Sequence, residues 1–203
     1  LYNNLGSYYK AKRNYDIAFK YYNKSLKIEQ ELNNLPNIAV RNNNIGSVYY
    51  RMGQYEKAIE YYLIAKDIDE KLKLEKELAT VYNNLGLAYR ALKNYPEAVR
   101  YLEGAVKIHE KFKNNRYLAN SLNNLGMAHR LNGDYDQAID NYKKSVLTSQ
   151  LIKDKKAEAA AYVNIAELYY NGKKDNKKAY DYYQKANQIY IALKDDAGSG
   201  YTF

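Results

Sequence analysis

Apolar and aromatic side chains recur three and four residues apart along this chain, as at Tyr82, Leu85 and Tyr89. That spacing places them on one face of an α-helix. A polar step closes each such run: Asn14, Gln54, Asn94 and Asp134 each precede a tyrosine and a first turn carrying an acid or a proline. A side-chain acceptor at that point can bond the unpaired amides of a helix start. Pro96 agrees, because proline is tolerated in a first turn. A second, longer run follows, from Tyr95 to about Lys113, with Ala98, Leu102, Ala105, Val106 and Ile108 inward. At 1.5 Å per residue it would extend about 28 Å.

The pattern returns in register every forty residues. Successive blocks open Leu1-Tyr2-Asn3-Asn4-Leu5-Gly6, Arg41-Asn42-Asn43-Asn44-Ile45-Gly46, Val81-Tyr82-Asn83-Asn84-Leu85-Gly86 and Ser121-Leu122-Asn123-Asn124-Leu125-Gly126. A fifth, Ala161-Tyr162-Val163-Asn164-Ile165-Ala166, carries one inserted residue within Asn171–Asn176. Each block therefore predicts two helices, and no shift of composition marks a domain boundary. Gly6, Gly46, Gly86 and Gly126 fall in mid-helix, where glycine costs up to about 1 kcal/mol relative to alanine. A cost repeated at one phase points to a close helix contact, with Ala18, Ala58, Ala98, Ala138 and Ala179 as the small residues opposite. Tyr9, Tyr49, Tyr89 and Tyr169, with His129 in their place in block four, would fill the space beside it. On the second helix the matching aromatic is Tyr22, Tyr62, Tyr142 or Tyr183, with Leu102 in block three.

Composition narrows the chemistry. The 203 residues include no Cys and only two His, which removes disulfides and thiolate sites and leaves little for a metal or a histidine base. No phosphate loop, serine elbow or framed carboxylate pair is present. The expectation is no catalytic residue, no metal and no cofactor. The net charge of +9 licenses only non-specific attraction to polyanions. The basic residues are mostly Lys scattered among acids, and the densest patch is Lys173-Lys174 with Lys177-Lys178. That is not the one-faced Arg/Lys cluster of a specific nucleic-acid reader. The 26 Tyr, against 3 Phe and no Trp, sit mostly at core phases and are better explained as packing than as base-stacking platforms. Unbroken apolar runs reach only about five residues, far short of a membrane span.

The order aromatic, Leu, Gly, Tyr, then Ala, aromatic, Ala resembles the tetratricopeptide repeat, a helix–turn–helix unit whose usual period is about 34 residues. The resemblance covers essentially the whole chain. It departs from the family in its longer period and in the missing closing proline, for which Gln30, Glu70, Glu110 and Gln150 stand. The helices should therefore be longer than usual. The forty-residue spacing is similar to that of spindle-orientation adaptors, kinesin light chains and many bacterial signalling proteins. The resemblance implies an all-α fold, a right-handed α-solenoid of stacked helix–turn–helix units. The expected organisation is one array over 1–203, with repeats at 1–40, 41–80, 81–120, 121–160 and 161–201 and a sixth opening at Thr202. Leu1 falls straight into a repeat and Leu193-Lys194-Asp195-Asp196 matches an inter-repeat step, so a fragment of a longer protein is expected.

In such an array the first helices line the concave face. The resemblance places Asn3, Asn43, Asn83, Asn123 and Val163 there, then Ser7, Ser47, Leu87, Met127 and Glu167, and one turn on Lys10, Tyr50, Arg90, Arg130 and Tyr170, with Arg51 alongside. The site expected to bind a peptide is Asn3, Asn43, Asn83, Asn123, Lys10, Arg51, Arg90 and Arg130. Asn4, Asn44, Asn84, Asn124 and Asn164 belong either to that groove or to the scaffold. Amides can pair with a peptide backbone and guanidinium forks with carboxylates, so the expected partner is a protein or peptide segment, acidic and extended or helical. A chaperone-tail clamp is not expected, because only Asn44 of its five positions matches. Two further readings remain open. One is the sensory or regulatory part of a bacterial histidine kinase or transcription regulator. The other is self-association through terminal repeats, using residues such as Tyr180, Tyr183 and Ile189. A cytoplasmic setting is favoured, a periplasmic one if the array belongs to a membrane sensor.

Overall fold

The computed structural model describes residues 1–193; Lys194-Asp195-Asp196 and the sixth opening at Thr202-Phe203 lie outside the described residues. Ten α-helices occur among the described residues: α1 (Tyr2–Ala11), α2 (Tyr15–Glu31), α3 (Leu35–Arg51), α4 (Tyr55–Lys71), α5 (Glu75–Ala91), α6 (Tyr95–Lys111), α7 (Asn115–Asn132), α8 (Tyr135–Leu151), α9 (Lys155–Glu167) and α10 (Asn176–Ala192). The protein is all-α, built from stacked helix–turn–helix units. Most helices have 17 residues, as α2, α3, α4, α5, α6, α8 and α10 do. The block edges at 41, 81, 121 and 161 fall inside α3, α5, α7 and α9, because the first helices start about six residues earlier than the sequence blocks. The second helix of block three ends at Lys111 rather than near Lys113.

Short identical turns separate these helices. Each turn carries one residue with positive φ: Arg13 (59°), Asn33 (50°), Gly53 (76°), Lys73 (56°), Lys93 (61°), Lys113 (52°), Gly133 (91°) and Lys153 (57°). A left-handed residue after a helix end is the usual way to turn the chain away from the helix. The backbone thus repeats every twenty residues, half the period of the sequence. Asn14 accepts from the Ile17 amide at 3.3 Å and Asn94 from that of Glu97 at 3.4 Å, as expected of caps. Gln54 and Asp134 make no such bond. The Asp134 carboxylate instead accepts from Asn132 Nδ2 at 2.7 Å and lies 3.3 Å from His129 Nδ1.

The inserted residue of block five has a structural outlet. After α9 the chain makes a π-helical turn, Leu168–Gly172, whose wider turn takes in one more residue than an α-turn. Register is then recovered at Lys174 (φ 56°) and at Asp175, whose side chain caps α10 by accepting from the Lys178 amide at 3.0 Å.

Two compact units divide the chain, Leu1–Tyr101 and Leu102–Phe203, the second described as far as Leu193. In the first unit Ala18, Tyr22, Ile45 and Val48 form one core cluster, and Ala58, Tyr62, Val81, Leu85 and Tyr101 lie in another. Ala138, Tyr142, Ile165 and Leu168 belong to a cluster of the second. Three of the repeated glycines, Gly6, Gly46 and Gly126, have a ring as their nearest neighbour. A methyl on Gly6, Gly46 or Gly126 would sit 2.6, 2.7 or 2.7 Å from the ring of Tyr22, Tyr62 or Tyr142. The helix backbone opposite comes next, with the Ala58 and Ala138 carbonyl oxygens at 3.0 and 3.1 Å from Gly46 and Gly126. At Gly6, Gly46 and Gly126 the second-helix tyrosine thus occupies the space the glycine vacates. Tyr22, Tyr62 and Tyr142 are buried, whereas Tyr183 is half-buried.

A second tyrosine row, one residue earlier, explains much of the unusual composition. Tyr9 stacks on Tyr21 (5.6 Å, 10°), Tyr49 on Tyr61 (5.3 Å, 23°), Tyr89 on Tyr101 (5.5 Å, 6°) and Tyr169 on Tyr182 (5.8 Å, 7°). Near-parallel aromatic pairs of this kind contribute about 0.5–1.5 kcal/mol beyond area burial. Block four lacks both members: His129 and Asn141 stand at the two positions, and His129 turns to Asp134 instead.

Candidate functional site

The side chains expected to form a binding face lie on the first helices, α1, α3 and α5 of one unit and α7 and α9 of the other. Leu5, Ile45, Leu85, Leu125 and Ile165 point their helices' apolar faces inward, with Ile45, Leu85, Leu125 and Ile165 buried. The preceding two residues of each block consequently lie to the side, half-buried in most cases. There the two asparagine rows meet. Asn44 Nδ2 donates to Asn3 Oδ1 at 2.9 Å, Asn84 Nδ2 to Asn43 Oδ1 at 2.9 Å, and Asn164 Nδ2 to Asn123 Oδ1 at 2.7 Å. Each bond joins one block to the next. Asn4 lies at the start of this ladder and is exposed.

Both rows therefore tie consecutive first helices together, and both keep an edge toward solvent. An asparagine has two acceptor lone pairs and two donor hydrogens, so one ladder bond leaves most of its capacity unspent. The sequence could not separate a scaffold row from a groove row because the two are partners in one bond.

One turn further, the cations behave differently in the two units. Lys10 Nζ donates to Ser47 Oγ at 3.2 Å and lies 5.9 Å from the centroid of the Tyr22 ring. Ser7 Oγ shares a 2.9 Å hydrogen bond with the Tyr22 hydroxyl. Burial, and after it the charge of Arg51, hold Lys10 below the ordinary lysine range. In the second unit Arg130 occupies the phase of Lys10, and its Nη1 reaches Glu167 Oε2 at 3.4 Å. Arg130 Nε is buried without a hydrogen-bond partner. Tyr50, at the same phase, packs on Tyr55 at 5.4 Å. Arg90 is half-buried and Tyr170 exposed.

The two histidines sit in packing positions. His109 is buried and stacks on Tyr117 at 5.7 Å, and its burial lowers its proton affinity. His129 is buried where the other blocks have tyrosine. Among the described residues no group of three His, Cys, Asp or Glu could hold a metal ion, and no helix is long and apolar enough to cross a membrane.

Stacked antiparallel helix pairs with a glycine under a tyrosine ring at one phase and an alanine opposite have a known counterpart. The tetratricopeptide repeat profile matches residues 1–71 and 77–146. This chain belongs to the tetratricopeptide repeat family. No curated protein matches it. Solved structures do. BtubC (BKLC) from P. vanneervenii superposes with a TM-score of 0.85 at 22% identity, over 94% of this chain and 79% of that one. A protein described as a kinesin light chain with nearly identical repeats, from Podosopora anserina, gives 0.81 at 18% identity over 96% of both chains. A Rap protein in complex with competence and sporulation factor gives 0.78 at 19% identity, over 97% of this chain but only 55% of its own. These likenesses establish the fold. As a tetratricopeptide repeat protein, the chain is a helical repeat scaffold of a type that is generally non-catalytic.

Proposed function

We propose that this repeat protein binds an extended, acidic peptide or protein segment along its first-helix faces and has no catalytic activity of its own. The observation that carries this reading is the asparagine ladder. Side-chain amides held at block intervals by Asn3–Asn44, Asn43–Asn84 and Asn123–Asn164 bonds are pre-oriented for a peptide backbone, which lowers the ordering cost of binding. Asn3, Asn43, Asn83 and Asn123 would meet the backbone of the segment. Lys10, Arg51, Arg90 and Arg130 would meet its carboxylates.

The test is a fluorescence-anisotropy titration with short labelled peptides of acidic, neutral and basic composition. Acidic peptides should bind best. Replacing Asn43 and Asn123 by alanine should weaken them by roughly tenfold, the cost of losing hydrogen bonds at a desolvated contact. Equal affinity for all three charge classes, or affinity untouched by the variants, would refute the reading.

A second reading is supported by the shared fold with two Rap structures, one in complex with competence and sporulation factor and one with the Phr* peptide. In it the array is the regulatory part of a larger bacterial signalling protein, and the segment it holds is a signal peptide or a neighbouring domain. This chain spans 55% and 53% of those two proteins. Full-length sequencing of the gene decides it: a kinase or DNA-binding region beside the repeats supports the reading, and repeats alone refute it.

A further inference from the structure

The repeat symmetry of the molecule supplies an internal comparison at the phase of Lys10. In the second unit the cation at that phase, Arg130, faces the acid Glu167 thirty-seven residues on. In the first unit the same offset joins Lys10 to Ser47. A hydroxyl stands where the sister position has a carboxylate, so the positive charge of Lys10 is left without a counter-ion. Instead it has a second cation beside it. Lys10, Ala11, Arg13, Tyr15 and Arg51 line one pocket of about 260 Å³.

No acid lines this pocket, and Arg13 and Arg51 form no ion pair among the described residues. The nearest acid in sequence, Asp16, lines the adjoining depression with Lys12 and Arg13. Like charges gathered around one cavity repel one another; burial first, and the charge of Arg51 after it, lower the proton affinity of Lys10. An arrangement that is unfavourable when empty becomes favourable when an anion completes it.

We propose that the first unit carries an oxyanion site in which Lys10 and Arg51 hold a phosphate-class group, with Arg13 at its rim and Ser47 holding the Lys10 ammonium in place. The chemistry matches. A phosphoryl group carries about −1.5 to −2 charge at neutral pH and three strong acceptor oxygens. Arg51 offers a planar fork and Lys10 a compact charge, which Ser47 Oγ steadies by accepting from it. The group reaches the site either as free phosphate or on a phosphorylated side chain of a bound peptide. The second source rests on the peptide-binding reading; the site itself does not.

Amide chemical shifts of the whole chain, followed during titration with inorganic phosphate, test the site. Saturable shifts confined to residues around Lys10, Arg13 and Ser47–Arg51 are expected. Lys10→Gln and Arg51→Gln should each weaken binding by roughly tenfold or more, as for a charged hydrogen-bond partner. Lys107→Gln, which removes an exposed charge elsewhere, should leave it unchanged. Ser47→Glu installs the acid found at Glu167 and should abolish phosphate binding while raising the unfolding midpoint. Non-saturable shifts spread over all lysines, or binding retained in Ser47→Glu, overturn the proposal.

A serine peptide and its phosphorylated form then separate the sources. If the phosphopeptide binds much more tightly than inorganic phosphate, and Asn3→Ala with Asn43→Ala removes only that advantage, the phosphate arrives on a peptide. If the two bind equally, the site takes the free anion and the peptide-binding reading fails without it.

Discussion

At the residue scale, one phase of the repeat shows how a single side chain changes the seam between consecutive helix pairs. Glu29, Asp69, His109 and Ser149 occupy it in successive blocks. Glu29 is matched: Arg41 Nη2 meets its Oε1 at 3.1 Å, Asn37 Nδ2 donates to its Oε2 at 3.2 Å, and Arg41 Nε donates to Ser25 Oγ at 2.8 Å. One block on, Val81 replaces Arg41 and Glu77 replaces Asn37. Asp69 is left only 3% exposed and facing a like charge. Burial, then Glu77, raise its carboxyl from 3.8 to about 6. The native state therefore binds the Asp69 proton more tightly than the unfolded chain does. Stability from this group is full below pH 3.8 and is lost as pH rises through about 6. Asp69→Asn should raise stability at pH 7 by on the order of 1 kcal/mol, with the gain vanishing near pH 4. Urea midpoints of both proteins at the two pH values measure this, and an equal gain at both would show that charge is not the cause.

At the scale of the element, the turns are the part of the fold that the sequence encodes most weakly. A left-handed residue recurs every twenty positions, yet glycine fills only Gly53 and Gly133 among them. Lysine holds the conformation at Lys73, Lys93, Lys113 and Lys153, where a Cβ opposes it by about 1–2 kcal/mol. Lys113→Gly should therefore raise the thermal midpoint, adding up to about 1 kcal/mol once the greater freedom of glycine in the unfolded chain is set against the relief. A lower midpoint in calorimetry would mean that the Lys113 side chain contributes more than its backbone strain costs. The π-helical turn at Leu168–Gly172 belongs to the same scale. An insertion in block five is plain in the letters, but whether it lengthens a loop or widens a helix depends on which register lets Leu168 stay buried and α10 resume its packing.

At the scale of the whole molecule, the net charge of +9 sets how a partner approaches. In the proposed reading, the cations on the first-helix faces attract an acidic segment over roughly a Debye length, about 8 Å in physiological salt. Binding of an acidic peptide should fall several-fold between about 50 and 300 mM salt, with the loss mostly in the association rate. Stopped-flow rates across that range check it. Affinity independent of salt would shift the weight from the cations to the asparagine ladder.

Much of this architecture is legible in the letters, because a forty-residue period with apolar positions three and four apart leaves one economical solution: paired helices that bury their stripes against neighbours of the same kind. The mid-helix glycines, the tyrosines at core phases and the place of the insertion all follow from that periodicity, which is local information. What the sequence left open is whatever depends on how helices meet and which way side chains turn. It could not show that Asn3 and Asn44 share one hydrogen bond, that Tyr9 and Tyr21 form a stacked pair, or that Gln54 and Asp134 fail to cap. Nor could it show that Arg130 has an acid opposite it and Lys10 does not. The asparagine bonds and the contacts of Lys10 and Arg130 join residues far apart in the chain. The Tyr9–Tyr21 pair and the missing caps depend on how paired helices pack and where side chains turn, which only the tertiary structure decides.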